Sequence, residues 1–164
     1  MNIYFSDEES RLTDDMKTLM QEAAVKAFSG EFGDIPEGAE DMVCLSVTVT
    51  DGEEIRTLNN EYRGIDKTTD VLSFPQFVDP DEISEWLDEY DEESPELLLG
   101  DVVLCYDRAL EQAEEYGTGI TRECVYLFVH SVFHLLGYDH MEDDERAVMR
   151  AREESVMSSI GVER

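Results

Sequence analysis

All three histidines of this 164-residue chain lie in one short segment, His130-Ser-Val-Phe-His134-Leu-Leu-Gly-Tyr-Asp-His140. Residues four apart lie on the same face of a helix, so His130 and His134 can direct two imidazoles toward one metal ion. Gly137 allows the chain to turn after the helix, and this turn can return His140 over the same face as a third ligand. The spacing therefore predicts a three-histidine metal site.

Three protein nitrogens leave the fourth position of a tetrahedral zinc ion open to water, which is the arrangement of a catalytic site. A histidine ligand usually has its second nitrogen held by an acceptor, and Asp139 or a backbone carbonyl is the candidate here. The alternative is a set of core histidines that are hydrogen-bonded without a metal. One zinc ion per chain is favoured, because three imidazoles in an apolar segment are costly to bury without partners.

The spacing also matches the motif of metzincin proteases, HExxHxxGxxH, except that residue 131 is serine. In those proteases the glutamate at this position is the general base for peptide hydrolysis. Its absence removes the residue on which that mechanism depends. A protease is therefore a minor hypothesis.

A second polar segment, residues 59–75 (NNEYRGIDKTTDVLSFP), joins a predicted helix to a predicted strand. Arg63 carries a planar guanidinium that suits two phosphate oxygens. The structural alternative is that Arg63 pairs with Asp66 or Glu61 and that Asp70 caps a turn. Short polar side chains near the strand are also candidates for substrate binding: Thr69, Asp70 and Ser73.

Hydropathy patterns indicate the elements that position these residues. The segment CVYLFVHSVFHLLG is apolar on all sides, which predicts a buried helix that bears the metal ligands. Strands are predicted at 1–5, 43–50, 70–77 and 97–106, and the other helices at 9–28, 52–62, 108–116 and 142–160. This order predicts an α+β domain in which a mixed sheet of about four strands packs against helices.

The composition favours one domain over residues 1–164, with 41% apolar residues and a formal charge of -29. Residues 79–96 hold ten acidic residues and no basic ones, and we interpret them as an acidic insertion, mainly a solvated surface excursion with a possible short helix. The chain has only 12 basic residues and 41 acidic ones, which argues against a simple nucleic-acid coat protein. An anionic substrate must therefore bind at a local site and not through the overall charge.

The sequence also predicts a cytoplasmic location and no membrane partner. No stretch approaches the roughly 20 apolar residues that span a bilayer, and the N-terminal residues lack the pattern of a secretion signal. Three cysteines without a CxxC pair are typical of reduced thiols in a cytosolic protein.

Together the two polar segments resemble the YbeY family of bacterial endoribonucleases, whose metal motif is approximately HGxLHLxGYDH. Here the motif is HSVFHLLGYDH, with Ser131 in place of the usual glycine. The segment NNEYRGIDKTTDVLSFP resembles the second family signature, and LLGDVVLCYDRALEQAEEYG resembles the strand and helix that precede the metal helix. The resemblance covers roughly residues 40–160 and keeps the order of these segments.

The resemblance implies a zincin-like fold and a zinc-dependent endoribonuclease specific for single strands. It implies zinc ligands at His130, His134 and His140, with Arg63 and His130 as catalytic residues. The implied role is maturation of ribosomal RNA at the 3' end of the small-subunit RNA and ribosome quality control. The implied partners are ribosomal RNA and the small subunit or its assembly factors, and DNA is not among them.

For RNA cleavage we expect Arg63 to stabilise the charge that develops on the scissile phosphate. The general base stays open: Asp70 and Asp139 are candidates, and the ribose 2'-OH or a metal-bound hydroxide could make either unnecessary. Two other functions also stay open, a zinc hydrolase of another substrate and a non-catalytic ribosome-assembly factor with structural zinc. Because the global field is strongly negative, we expect a partner such as the ribosome to deliver the RNA.

Overall fold

A four-stranded mixed sheet forms the centre of the computed structural model, which describes residues 1–139 and 141–162. The strands are β1 (Asn2–Ser6), β2 (Val43–Thr50), β3 (Val71–Pro75) and β4 (Leu97–Cys105). Their order is β1-β2-β4-β3, with β1, β2 and β4 mutually parallel and β3 antiparallel to β4 at one edge.

The described residues form six helices: α1 (Asp14–Phe32), α2 (Gly52–Arg63), α3 (Asp81–Asp88), α4 (Tyr106–Tyr116), α5 (Ile120–Leu135) and α6 (Asp143–Ser159). Helices α2 and α5 contact the sheet, and α6 contacts α1 and α5. A short 3-10 turn, Glu40–Met42, precedes β2. The α+β class and the mixed sheet of four strands predicted from the sequence are confirmed.

Helix α5 is the central helix of the fold. It contacts β3 and β4 of the sheet as well as α1, α4 and α6. Its side chains are buried around most of its circumference, and Phe128 and Phe133 are almost completely buried. The prediction of a buried helix over this segment is confirmed, and this burial fixes the position of the two histidines that α5 carries.

Helix α1 begins later and ends later than the predicted range 9–28. Thr13 caps its N-terminus, where the threonine hydroxyl accepts a hydrogen bond from the backbone N–H of Met16 at 3.2 Å. Asp7 accepts hydrogen bonds from the backbone N–H groups of Arg11 and Leu12, which holds residues 7–12 in a turn instead of a helix.

The acidic segment 79–96 contributes to the core. Helix α3 lies within it, and Ile83 and Leu87 of this helix are buried in the main hydrophobic cluster, with Trp86 and Tyr90 packed against that cluster. The short helix follows the apolar spacing of the sequence, because a helix of this length can bury only one stripe. The interpretation of the segment as an insertion stays a prediction.

None of the helices described in residues 1–139 and 141–162 is both long enough and apolar enough to cross a membrane.

Candidate active site

An open cleft of about 730 Å³ lies where α5 and the turn after it face β3 and the end of α2. Among the residues predicted from the sequence, the cleft collects Arg63, Thr69, Asp70, Ser73, His130, His134 and Asp139 along its walls. The remaining predicted site residue, His140, lies outside the described residues. The fold therefore brings the two polar segments of the sequence into one place, although they are about 60 positions apart in the chain.

The imidazoles of His130 and His134 converge inside this cleft. Their Nε2 atoms lie 3.2 Å apart, and the ring planes are nearly perpendicular, at 86°. The helix produces this arrangement, because side chains four residues apart lie one turn above each other on the same face.

The other ring nitrogen of each histidine lies next to an oxygen acceptor. The Nδ1 atom of His134 lies 2.9 Å from the carbonyl oxygen of Tyr138, and the Nδ1 atom of His130 lies 3.2 Å from Oε1 of Glu153. When both Nδ1 atoms donate to these oxygens, both Nε2 atoms carry lone pairs toward the same point. Two lone pairs at this distance require a proton or a cation between them.

This donor set fits a zinc ion. Two nitrogens that each lie about 2.0–2.1 Å from a tetrahedral zinc ion are about 3.3–3.4 Å apart, which agrees with the observed Nε2 to Nε2 distance of 3.2 Å. The acceptors at Nδ1 are those that usually orient metal-binding histidines. Within residues 1–139 and 141–162, no group of three or more potential ligands is close enough together to hold a metal ion.

Sequence reasoning missed Glu153. The expected acceptors were Asp139 and a backbone carbonyl; a carbonyl holds His134, whereas a carboxylate from α6 holds His130. Glu153 is only 3% exposed and lies between the buried residues Met149 and Val156 of α6. An acidic residue in an apolar stripe at helical spacing was the signal that could have found it.

The turn after α5 supplies the carbonyl that holds His134. Gly137 has φ +100°, and its backbone N–H donates to the carbonyl of His134, while the N–H of Tyr138 donates to the carbonyl of Phe133. A Cβ atom at Gly137 would lie 3.0 Å from the ring of Pro80. The turn predicted at this glycine is therefore present, and both its backbone angle and its surroundings favour glycine.

Arg63 is the last residue of α2, and its exposed side chain lines the cleft. The predicted alternative pairing with Asp66 is wrong, because Asp66 accepts from Arg56, with Nε to Oδ1 at 2.9 Å and Nη2 to Oδ2 at 3.3 Å. None of the described carboxylates forms a salt bridge with Arg63. Its guanidinium is therefore available to an anionic ligand.

Asp70 is held by the protein through both carboxylate oxygens. Oδ1 accepts from the backbone N–H of Val71 at 2.8 Å, and Oδ2 accepts from Nε2 of Gln112 at 3.1 Å. The carboxylate thus stabilises the start of β3 and contacts α4 while it lines the cleft. Asp139 also lines the cleft, and its role as an acceptor for a metal-binding histidine stays a prediction.

Ser73 of β3 and Ser131 of α5 are joined through their hydroxyls, with Oγ atoms 2.6 Å apart. Ser131 is fully buried directly after His130, at the position of the usual family glycine. Its hydroxyl therefore joins β3 to α5 through a hydrogen bond.

Apolar side chains form one rim of the cleft: Phe77, Val78 and Met141. Val78 is fully exposed and Met141 is 77% exposed. Exposed apolar groups beside a cationic side chain are suited to a ligand that has both flat apolar rings and negative charge. Sequence reasoning missed this rim, because Met141 is distant in the chain from Phe77 and Val78.

An α+β fold whose open cleft holds a histidine pair and an arginine that forms no salt bridge with the described carboxylates has the components of a small hydrolase for anionic substrates. A family model described as Endoribonuclease YbeY matches residues 2–161. The chain belongs to this family of endoribonucleases.

Relatives match over most or all of the chain. An endoribonuclease YbeY of Caldanaerobacter subterraneus is 43% identical over 164 residues, which cover 100% of both chains. One from Clostridium beijerinckii is 38% identical over 98% of both chains, and one from a Thermoanaerobacter species is 50% identical over 76% of this chain and 78% of its own.

A solved structure also resembles this fold. The solution structure of a Thermotoga maritima protein matches with a TM-score of 0.55 over 96% of this chain and 91% of its own, at 24% sequence identity. This similarity supports the same α+β architecture.

Proposed function

We propose that this protein is a zinc-dependent endoribonuclease that cleaves single-stranded RNA in the cleft between α5 and β3. The observation that carries the proposal is the convergence of the His130 and His134 Nε2 atoms in the cleft that Arg63 also lines. The relatives, which are named endoribonucleases, supply the reaction class.

In this proposal His130 and His134 hold the zinc ion together with His140, the ligand expected from the sequence. A bound ion would supply Lewis-acid chemistry toward water and a phosphate oxygen. Glu153 and the Tyr138 carbonyl keep the two described imidazoles in the orientation that directs Nε2 toward the ion.

Arg63 binds the scissile phosphate and stabilises the negative charge that increases on it during cleavage. Its exposed guanidinium has no competing carboxylate among the described residues, so it does not have to break an ion pair first. Thr69 and Ser73, which line the same wall, position the substrate by hydrogen bonds. The choice of general base between Asp70 and Asp139 stays open.

Single-stranded RNA fits the cleft better than a duplex does. The apolar rim of Phe77, Val78 and Met141 can contact base faces, and such faces are accessible only where bases are unstacked. The 2'-OH and the phosphate of the same nucleotide would then face the polar wall.

We propose ribosomal RNA as the substrate, cleaved at the 3' end of the small-subunit RNA during maturation and quality control. The net charge of -29 repels free RNA at long range, so we expect the small subunit or its assembly factors to deliver the strand. A cytoplasmic location follows from this role.

RNA cleavage by an Arg63→Gln variant tests the arginine. We expect cleavage of single-stranded ribosomal RNA to fall by about 10²- to 10³-fold, because a charge that stabilises the transition state is lost. Arg56→Gln is the matched control, since Arg56 lies on the same helix but pairs with Asp66 away from the cleft. Equal loss in both variants, or none in Arg63→Gln, contradicts the assignment.

Metal analysis tests the histidines. We expect about one zinc ion per wild-type chain and a loss of zinc in His134→Ala. We also expect Arg63→Gln to retain zinc while it loses cleavage. A protein that retains zinc in His134→Ala, or that cleaves RNA equally well after complete removal of metal, contradicts the proposal.

A further inference from the structure

A second pocket, of about 470 Å³, lies between α5 and α6. Arg122 and Tyr126 of α5 form one wall, and Arg150 and Met157 of α6 form much of the other. None of the residues assigned to RNA cleavage above lines this pocket, so its chemistry requires a separate explanation.

Arg122 is held rigidly at the base of the pocket. Its side chain is only 10% exposed, Nη1 donates to Oε1 of Glu123 at 2.9 Å, and the guanidinium carbon lies 5.1 Å from the centre of the Tyr126 ring. Its Nε atom is buried and has no hydrogen-bond partner among the described residues. A buried donor without an acceptor is costly, and after a small rotation of the guanidinium a ligand oxygen in the pocket can accept from it.

The remaining walls combine positive charge with apolar surface. The exposed guanidinium of Arg150 also lines the pocket, where its Nε lies 3.6 Å from Oε1 of Glu154 in a surface ion pair that a phosphate can displace. Ala151, Met157 and Val162 give an apolar wall. A ligand that binds the arginines and also packs against the apolar wall must carry a negative charge next to an apolar ring. A nucleotide has both features, in its phosphate and in its sugar and base.

The pocket and the active-site cleft each share lining residues with a third, smaller pocket. A smaller pocket of about 180 Å³ shares His130 with the cleft and shares Tyr126 and Arg150 with the second pocket. The Tyr126 ring stacks 6.4 Å from the ring of His130. Along α5, Arg122 precedes His130 by eight residues, a rise of about 12 Å, which is within the reach of a few nucleotides of one strand.

The distribution of basic residues agrees with a path for RNA. The chain has only 12 lysines and arginines against 41 acidic residues, so a polyanion must be held where the basic side chains are grouped. Arg146 lines the smaller pocket together with Arg150 and His130. Guanidinium groups therefore occur in all three spaces, and those of Arg122, Arg146 and Arg150 each lie next to a carboxylate that a phosphate would have to displace.

We propose that the pocket between α5 and α6 binds a backbone phosphate of the single-stranded RNA substrate, a few nucleotides from the scissile phosphate, through Arg122 and Arg150. This inference rests on the proposed function and specifies how that substrate is held. The apolar wall receives the sugar and base of the same nucleotide without reading its identity.

Binding of a labelled single-stranded RNA of about 12 nucleotides, carrying 2'-O-methyl groups against cleavage, tests the pocket in the full-length protein. We expect Arg122→Gln and Arg150→Gln each to raise Kd about tenfold at low salt. The slope of log K against log [KCl] should become smaller by about 0.7 for each lost phosphate contact, which a purely structural defect does not produce. Glu154→Gln should lower Kd, because Glu154 places a negative charge in the same pocket.

Lys26→Gln provides the charge control, because Lys26 is exposed on α1 and lines neither the cleft nor the pocket. The Arg150→Gln variant should fold normally, because the Arg150 side chain is 59% exposed, so its result does not depend on the buried Arg122. Unchanged Kd and salt slope in Arg150→Gln overturn the proposal. So does a loss of AMP binding in Arg122→Gln with unchanged RNA affinity, which would assign the pocket to a free nucleotide.

Cleavage of the unmodified RNA by the wild-type protein separates this inference from the proposed function. If the wild-type protein cleaves the RNA but the pocket variants bind it normally, only the role of the pocket is wrong. If the wild-type protein with zinc neither binds nor cleaves single-stranded RNA, the proposed function itself fails.

Discussion

The carboxylate of Glu153, on α6, lies 3.2 Å from Nδ1 of His130, on α5, although the two residues are 23 positions apart. Burial raises the pKa of the neighbouring Tyr126 hydroxyl to about 12, and the charge of Glu153 and a hydrogen bond to it add to this shift. Tyr126 therefore stays a neutral hydrogen-bond donor to Glu153 at physiological pH. The carboxylate of Glu153 then accepts hydrogen bonds from both Tyr126 and His130. This arrangement holds the His130 imidazole in one orientation.

Replacing Glu153 by glutamine should weaken zinc binding. We expect Glu153→Gln to lower the zinc affinity about 10-fold, because the carboxylate that orients the His130 imidazole is lost. Competition with a chelator measures this affinity. Glu114→Gln, which removes an exposed carboxylate from α4, should leave it unchanged. An unchanged affinity in Glu153→Gln would mean that this contact does not support the site.

The bond between Ser73 and Ser131 should stabilise the fold measurably. Ser131→Ala removes one hydroxyl of the buried pair, and we expect the free energy of unfolding in urea to fall by about 1 kcal/mol. Ser131→Gly should cost about 1 kcal/mol more, since glycine is a poorer helix former than alanine.

A double-mutant cycle with Ser73→Ala isolates this bond. The coupling energy between positions 73 and 131 should be about 0.5–1.5 kcal/mol. Strictly additive effects would show that the two hydroxyls do not stabilise each other.

Glycine to alanine replacements at two positions should have opposite signs. Gly137→Ala places a side chain at φ +100°, with Cβ 3.0 Å from the Pro80 ring, and should lower the free energy of unfolding by about 1–3 kcal/mol. Gly30→Ala lies within α1 with open space around the new Cβ, and should raise stability by about 0.5–1 kcal/mol. Thermal or urea unfolding of both variants checks this, and the same sign in both would contradict it.

Helix α3 should be needed for stability despite its acidic surroundings. Ile83→Ala removes a fully buried side chain from the main core cluster, and we expect a loss of about 2–4 kcal/mol in the free energy of unfolding. Glu82→Ala, an exposed neighbour, should change stability by less than about 0.5 kcal/mol. If Ile83→Ala has no effect, the segment acts only as a solvated excursion.

The histidine pair could be predicted from the sequence because its geometry is local. A helix places residues four apart on one face whatever surrounds it, so the spacing of His130 and His134 already implied that their rings converge. The strands and the buried helix α5 were predictable for a similar reason, since apolar periodicity records which face of an element is buried. The boundaries of α1 were not, because they depend on hydrogen bonds made by Asp7 and Thr13.

The sequence by itself determined the chemistry of this protein: which imidazoles can share an ion, which arginine can meet a phosphate and which segments pack inside. Tertiary structure alone decided that Arg63 remains available, because Arg56 takes Asp66, and that Glu153 crosses from α6 to hold His130. It also decided that Arg122 and Arg150 face one pocket. Such pairings join residues distant in the chain, and they follow from how helices and strands pack together, which a local pattern does not encode.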